Sequence, residues 1–239
     1  MSGIVRHRRS WHRTVRVGLM LVAGAVLTTT LGMAFQVRRV LVEGTRRFGT
    51  AQVETALQPA LGSMSLTVRA ADLRNAVLEV PWVGEASVRV SLDGVVHCLV
   101  REREPVAVAI DGAVVNLVDI TGHLMGAPRG TLPELELVDF APFPEERATL
   151  LASLPSLQRA WGAPVRRATR LGFSNVALSF PDLSCSILVD PTRETQLRLA
   201  RRVLETWQRD THSAPQRLDA RVDGRVAVLP ASEPAEIPS

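Results

Sequence analysis

The sequence of 239 residues contains no lysine, no tyrosine and only two cysteines. All 28 basic residues are therefore arginine, and this bias, with abundant Ala, Val and Leu, is typical of a GC-rich genome. Cys98 and Cys185 each lie in an apolar run that predicts a buried strand. We expect both thiols to be buried and unpaired, although an oxidising compartment would permit a disulfide. No CxxC pair or Cys/His cluster has metal-ligand spacing, which argues against a structural metal site.

The sequence also lacks the short motifs that mark common enzyme classes. It has no G-x-S-x-G elbow, no glycine-rich phosphate loop and no H-E-x-x-H pair. The segment Asp119-Ile120-Thr121-Gly122 resembles the D-T-G of aspartic proteases, but that chemistry needs two such carboxylates, so we interpret it as a hairpin turn. His97 and Cys98 are neighbours on a predicted strand and should point to opposite faces. We therefore predict no catalytic residue, cofactor, metal or small-molecule substrate.

Charge is absent between Arg16 and Arg38, and no other stretch is comparable. Residues 17–37 would form a helix about 31 Å long at roughly 1.5 Å per residue, which matches the hydrocarbon core of a bilayer. We predict one transmembrane helix, which excludes channels and transporters because they need several spans. A cleaved signal peptide is the alternative, since a peptidase could recognise the small residues Gly32 and Ala34, but the run is longer than a typical signal core.

Arginines flank this run on both sides; the nearest are Arg13, Arg16, Arg38 and Arg39. The positive-inside rule weakly favours a cytoplasmic N-terminus, so we expect a cytoplasmic basic tail at 1–16 and periplasmic domains after the span. Much of the net charge of +4 lies in this tail, which suits contact with anionic lipid headgroups better than nucleic-acid binding. Beyond the span, we expect the arginines at 38, 39, 46 and 47, with Glu43, to face the headgroups.

Hydropathy patterns after the run predict an α+β fold. Residues 37–102 predict the order β-α-α-β-β, with a strand at 37–44, helices at 50–61 and 70–79, and a hairpin at 86–102 that turns at Asp93-Gly94. The remainder predicts a β-rich domain with flanking helices. Its elements are short strands at 105–126, a helix after the proline-rich residues 132–146, strands near 170–180 and 184–189, a helix from Pro191 to Arg209, and a strand or bent strand pair at 217–230. Composition predicts a disordered tail at 230–239.

Two positions combine packing with polar contacts. Pro81, Trp82 and Val83 stand between a predicted helix and a strand, where the Trp82 ring should bury a large apolar area and fix the helix onto the sheet. Glu102 and Arg103 precede Pro105 and should close the end of the hairpin with polar contacts.

The final predicted strand, Leu218 to Leu229, precedes the disordered tail and should lie at a sheet edge. An exposed edge offers unpaired backbone groups to a partner strand. The alternative is an ordinary edge that charged side chains protect, here Arg221, Asp223 and Arg225.

The order and spacing of four segments resemble the FtsQ/DivIB family of bacterial cell-division proteins. The segments are VRRVLVEGTRRFGTAQV, LEVPWVGEASVRV, REREPVAVAIDGAVVNLVDITGHLM and RLDARVDGRVAV. The resemblance implies an FtsQ-type POTRA domain at 38–104 and a β domain at 105–229 that ends in a partner-binding strand. It implies a non-enzymatic inner-membrane scaffold of the divisome, which binds FtsB/FtsL-type membrane proteins and, indirectly, the septal peptidoglycan synthase.

The family's motifs match this sequence at individual residues. The helix-to-strand motif matches at Pro81, Trp82, Val83, Ala86 and Val88, and the hairpin-end motif at Glu102, Arg103, Pro105, Val106 and Ala107. The resemblance implies that the partner contacts Asp219, Arg221, Val222, Asp223, Val226 and Val228. In this strand Ala220 and Val222 replace the family's common Leu and Tyr.

Two other functions compete with this interpretation. A membrane-anchored POTRA chaperone for secreted or outer-membrane polypeptides usually carries several POTRA repeats, and the sequence has no internal repeats. A tethered periplasmic hydrolase has no catalytic constellation to support it.

Overall fold

The computed structural model describes residues 16–24, 35–172 and 175–231. Residues 16–24 are helical. Within these described ranges, no helix is both long and apolar enough to cross a bilayer. The predicted span at 17–37 falls partly on residues 25–34, which lie outside the described residues, as do Arg13 and residues 232–239 of the predicted tail. The predicted end of the span is wrong, because residues 35–37 are not helical. Gln36 forms a bridge with Met64, and Val37 is buried in the core. Pro230, predicted to begin that tail, belongs to a strand instead.

The chain divides into two compact units between Glu102 and Arg103. The first unit contains the predicted β-α-α-β-β order, which the structure confirms. Its elements are β1 (Arg39–Glu43), α1 (Ala51–Leu57), α2 (Ala70–Leu78), β2 (Val83–Val90) and β3 (Val95–Glu102). The strands form one sheet in the order β1-β3-β2, in which β3 runs parallel to β1 and antiparallel to β2.

The core of this unit forms because apolar side chains recur at helical spacing in the helices and at every second position in β3. Val53, Leu57, Leu73 and Val77 of the helices are buried, as are Val96, Cys98 and Val100 of β3. His97 is exposed between its buried neighbours, so the prediction of opposite faces for His97 and Cys98 is confirmed. Gly94 is required in the β2–β3 turn, because its φ is +82° and a Cβ there would lie 2.2 Å from the backbone oxygen of Gln36.

Trp82 packs as predicted. Its side chain is 2% exposed and stacks on Phe48, with ring centroids 5.3 Å apart and planes 6° from parallel. Its indole Nε1–H donates to Oε1 of Gln52 in α1 at 2.5 Å. One side chain therefore ties α1, the loop before it and the start of β2 together.

The second unit is built on a nine-stranded sheet with two long helices. Its strands are β4 (Pro105–Asp111), β5 (Val114–Asp119), β6 (Leu124–Gly126), β7 (Glu136–Val138), β8 (Arg167–Gly172), β9 (Asn175–Ser179), β10 (Ser186–Val189), β11 (Pro215–Asp219) and β12 (Ala227–Pro230). The helices are α3 (Pro144–Trp161) and α4 (Glu194–Thr211). The strand order is β12-β11-β10-β9-β8-β7-β4-β5-β6. The helices contact each other and share one apolar core with the sheet, including Leu137, Leu150, Leu157, Leu197 and Leu218.

The structure corrects several predicted boundaries in this unit. β7 lies inside the proline-rich residues 132–146 and pairs in parallel with both β4 and β8. The strand predicted near 170–180 is a hairpin of β8 and β9. α4 begins at Glu194 rather than Pro191, because Asp190 Oδ1 accepts hydrogen bonds from the N–H and Oγ1 of Thr192 in a separate turn. The sequence predicts a kink or a new first turn of helix at Pro155, but α3 continues through this residue as one helix.

Candidate partner-binding site

The candidate site is the edge of the second unit's sheet where β12 is the outermost strand. β11 pairs in parallel with β10 on one side and antiparallel with β12 on the other. Of the two predictions for residues 217–230, a single strand or a bent strand pair, the structure confirms the pair: the segment contains β11, a loop and β12. Gly224, with φ +69°, and a turn bond from Arg225 N–H to Val222 C=O at 3.2 Å reverse the chain.

The hydrogen-bond pattern identifies the backbone groups that face away from the sheet. Ala220 N–H donates to Leu188 O of β10 at 2.8 Å, so Ala220 and Leu218 direct their backbone toward β10. Because alternate residues face opposite sides, Asp219 and Arg217 face β12, where they lie opposite Ala227 and Leu229. Val228, opposite Leu218, therefore points its N–H and C=O outward. By the same alternation Val226 does so just before the strand.

The side chains of this edge alternate in exposure. Val226 and Val228 are half-buried against the core, whereas Ala227 and Leu229 are exposed, with Leu229 at 48%. The two valines hold the strand on the sheet, and Leu229 leaves an apolar group on the outside. The edge combines outward backbone groups with apolar contact area, which strand addition requires.

An ion pair rigidifies the start of the loop between β11 and β12. Arg221 donates through Nε to Oδ1 of Asp219 at 2.9 Å and through Nη2 to Oδ2 at 2.6 Å. The backbone N–H of Arg221 also donates to Asp219 Oδ1 at 3.2 Å. The hydrogen bond from Arg221 lowers the pKa of Asp219, against the opposing effect of partial burial. Asp219 and Arg221, which are both predicted to contact the partner, therefore bind each other in this structure.

Helix α4 holds the other half of the loop. Nε2 of Gln196 donates to Oδ1 of Asp223 at 2.6 Å, and Arg193 Nη1 lies 3.7 Å from the same oxygen. Gln196 is 4% exposed, and its Oε1 has no hydrogen-bond partner among the described residues. Asp223 is therefore bound on the side of the loop that faces the helix. We call Asp219, Arg221, Asp223 and Gln196 the loop clamp.

A groove lies along the exposed side of α4. It has a volume of about 460 Å³ and is lined by Leu199, Arg202, Val203, Thr206, Trp207, Asp210 and Thr211. Leu199, Val203 and Trp207 recur every fourth residue beside the buried stripe of the helix, so the floor is apolar and the walls are polar. Nε1 of Trp207 is buried without a hydrogen-bond partner in the described part of the chain.

The structure separates the predicted contact residues into two groups. Asp219 ends β11, and Arg221, Val222 and Asp223 lie in the loop, where Val222 is 61% exposed. Val226 and Val228 belong to the edge. The structure adds three residues beside these groups that are not among the predicted contact residues: Gln196, Trp207 and Leu229. Gln196 lies within an apolar stripe that includes Leu197, Ala200 and Leu204, and a polar residue in such a stripe indicates a buried polar contact.

The hairpin-end residues are polar closures, as predicted. The carboxylate of Glu102 accepts backbone N–H bonds from Arg46, Arg47 and Phe48 at 2.8–3.1 Å. Burial acts to raise the pKa of Glu102, but these three bonds outweigh it and the pKa is lowered. Arg103 pairs with Asp119 at 2.7 Å, and Pro105 begins β4.

The Asp119 segment is a turn, as predicted. Asp119 Oδ1 accepts from the N–H and Oγ1 of Thr121 and from His123 N–H. The sequence prediction missed Arg147, which is 3% exposed and donates to backbone oxygens of Gly122, Phe140 and Ala141. Cys98 and Cys185 are free, buried thiols, as predicted, and burial raises the pKa of each. Within residues 16–24, 35–172 and 175–231, no three His, Cys, Asp or Glu side chains converge as metal ligands.

Comparison with known families gives one result for the first unit. Residues 35–103 match the family described as POTRA domain, FtsQ-type, and the match ends one residue after β3. No curated protein sequence matches the chain at a significant level.

Proposed function

We propose that this protein is a scaffold of the bacterial division machinery. Residues 35–103 match the FtsQ-type POTRA domain, which is a non-catalytic protein-interaction module. The longer sequence also resembles FtsQ/DivIB proteins. In this proposal the uncharged run that precedes Phe35 anchors the protein in the inner membrane, and the POTRA domain and the second unit lie in the periplasm. It binds FtsB/FtsL-type membrane proteins and thereby helps recruit and control septal peptidoglycan synthesis.

The edge strand β12 carries the proposal. Its outer side pairs with no other strand among the described residues, and Val226 and Val228 direct backbone groups outward. Natural proteins usually protect such edges, because an open edge pairs with other chains. Here the strand is short and ends at Pro230, and no further strand pairs with it among the described residues, which supports strand addition at this edge.

We propose that the partner adds one strand antiparallel or parallel to β12. Backbone hydrogen bonds to Val228 would supply affinity, and Leu229 would pack against an apolar partner side chain. The loop clamp would hold the edge in place before binding, which reduces the ordering cost of association. An adjoining helical segment of the partner would suit the apolar floor and polar walls of the α4 groove.

Copurification tests strand addition. The full chain is coexpressed with the FtsB/FtsL-type proteins of the same organism and captured from detergent extracts. Val228→Pro removes the outward N–H, and Val226→Pro removes the equivalent group before the strand. Val228→Ala is the matched control, because it loses packing area but keeps the backbone donor. We expect both proline variants to lose most of the captured partner and the alanine variant to retain it.

Two results would contradict the proposal. Unchanged capture by folded Val228→Pro protein would exclude strand addition at this edge. A fluorescent fusion that stains the membrane uniformly, together with normal division after depletion, would exclude a division role. The proposal predicts midcell fluorescence and filamentous cells after depletion.

A further inference from the structure

We call the folded part of the first unit, residues 35–102, the POTRA unit. One end of it lies where the chain leaves the uncharged run. β1 starts at Arg39 and β3 at Val95, and these residues are partners in a parallel pair, so both strands begin at the same end. The β2–β3 turn is at this end too, since Arg38 N–H donates to Gly94 O at 2.8 Å. Glu43 is the last residue of β1, and Arg46 and Arg47 follow it. Glu102, at the end of β3, accepts hydrogen bonds from the backbone N–H groups of Arg46 and Arg47. Arg38 and Arg39 therefore lie at the opposite end of β1 from Glu43, Arg46 and Arg47, and the expectation that all five face the headgroups stays a prediction.

The loop 61–66 is bonded directly to the last residues of the uncharged run. Gly62 N–H donates to Val37 O at 2.9 Å, Val37 N–H to Ser63 O at 2.8 Å, and Ser65 N–H to Phe35 O at 2.7 Å. Met64 also forms a bridge with Gln36. These bonds hold the loop directly against residues 35–37. The loop therefore lies at the point where the chain leaves the uncharged run.

Exposed apolar side chains concentrate at this end. Among residues 35–102, the exposed large apolar side chains are Leu61, Met64, Leu66, Leu92 and Leu99, and the first four belong to the loop or to the β2–β3 turn. Leu66 and Leu92 are 63% and 61% exposed. Leu99 pairs with Glu43 at the far end of β1. A folded unit in water gains nothing from placing its exposed apolar groups together.

The charges at this end suit a lipid surface. The sequence has no charged residue between Glu54 and Arg69, so the loop itself is neutral. Arg38 and Arg39 are exposed beside it, at the position where arginine contacts lipid phosphates. Asp93, the acid of the turn, has a carboxylate oxygen that accepts from Val95 N–H at 3.3 Å.

We propose that Leu61, Met64, Leu66 and Leu92 form a membrane-docking surface that lies in the boundary between headgroups and acyl chains. This inference rests on the proposed membrane anchor in the uncharged run that precedes Phe35. Apolar side chains beside basic ones bind this boundary in peripheral membrane proteins. The POTRA unit is then fixed on the bilayer at two points, by the emerging chain and by the loop, and it presents one constant orientation to its partners.

Depth-dependent fluorescence quenching tests the surface. The full chain is reconstituted in vesicles of phosphatidylcholine and phosphatidylglycerol, some of whose lipids carry a doxyl quencher near the glycerol backbone. A fluorescent thiol reagent is attached to Leu66→Cys, Leu92→Cys or Leu99→Cys. Leu99 is the matched control, because it is 58% exposed but lies at the other end of the unit. Cys98 and Cys185 are only 2% and 3% exposed, so the introduced thiol reacts selectively in folded protein.

We expect several-fold stronger quenching at Leu66 and Leu92 than at Leu99. Equal, weak quenching at all three positions in protein that floats with the vesicles would overturn the docking surface while leaving the anchor intact. The docking surface would also be overturned if the label at Leu66→Cys becomes shielded from water only after a partner protein or a second copy of this chain is added. Protein that fails to float with the vesicles would refute the proposed anchor, and the docking surface with it.

Discussion

Glu102 should be the main electrostatic stabiliser of the POTRA unit. Its carboxylate accepts three backbone N–H bonds from the loop after β1. Each such bond contributes about 1 kcal/mol net, and bonds to charged groups contribute more. Because the side chain is partly exposed, we discount the larger figure and expect Glu102→Ala to lower the free energy of unfolding by about 2–3 kcal/mol.

This contribution should depend on pH with a defined sign. The folded-state pKa of Glu102 is lowered, so its stabilisation is fully present above the ordinary glutamate pKa of about 4.3. The stabilisation is lost as the pH falls through the lowered folded value. The difference in stability between wild type and Glu102→Ala should therefore narrow in acid.

Thermal and urea denaturation, followed by circular dichroism at neutral and acidic pH, measures this difference. Glu85→Ala is the matched control, because Glu85 forms an ion pair with Arg101 in which both side chains are over 70% exposed. Such pairs contribute little to stability, so this control should unfold like wild type. A Glu102→Ala protein as stable as the control at neutral pH would refute the reasoning. So would a deficit that stays constant into acid.

Three further predictions concern packing and the loop clamp. Trp82→Ala should lower the free energy of unfolding by about 3–5 kcal/mol in urea denaturation, and a loss similar to that of an exposed-site variant would contradict the packing role. Arg147→Met leaves three backbone oxygens without their donor and should lower the free energy of unfolding by about 1–3 kcal/mol for each oxygen left unbonded, whereas Arg159→Met, on the exposed side of α3, should lower it much less. Gln196→Ala should weaken copurification of the FtsB/FtsL-type partner several-fold. Gln208→Ala is the control, because Gln208 is an exposed glutamine of the same helix, and it should not weaken copurification. Equal capture by the two variants would contradict a role of the loop clamp in partner binding.

The sequence predicts the first unit well because its signals are local. Helical spacing of Val53, Leu57, Leu73 and Val77 and the Asp93-Gly94 turn each act over a few residues. The side-chain contacts of Trp82 with Phe48 and Gln52 span longer distances, but the position of the ring between helix and strand already indicated its burial.

The second unit is harder to predict because its arrangement depends on distant partners. β7 has three residues and becomes a strand only between β4 and β8, far from both in sequence. The apolar alternation through 217–230 looks continuous, but the loop clamp to Gln196 and the positive φ of Gly224 divide it into two strands. The partner-binding residues predicted from the resemblance remain predictions.

The same limit applies to the end of the POTRA unit where β1 begins. Arginine positions along the sequence suggested one surface for Arg38, Arg39, Arg46 and Arg47. The parallel pairing of β1 with β3 places the two pairs at opposite ends, and this pairing is a long-range property that local pattern does not contain.

Amide hydrogen exchange across β12 tests the central claim most directly. In the free protein, the amides of Ala227 and Leu229 should exchange slowly because they face β11, while those of Val226 and Val228 should exchange fast. Strand addition by the FtsB/FtsL-type partner predicts that the Val226 and Val228 amides become protected in the complex. A stable complex in which the Val228 amide still exchanges as fast as in the free protein would contradict the account.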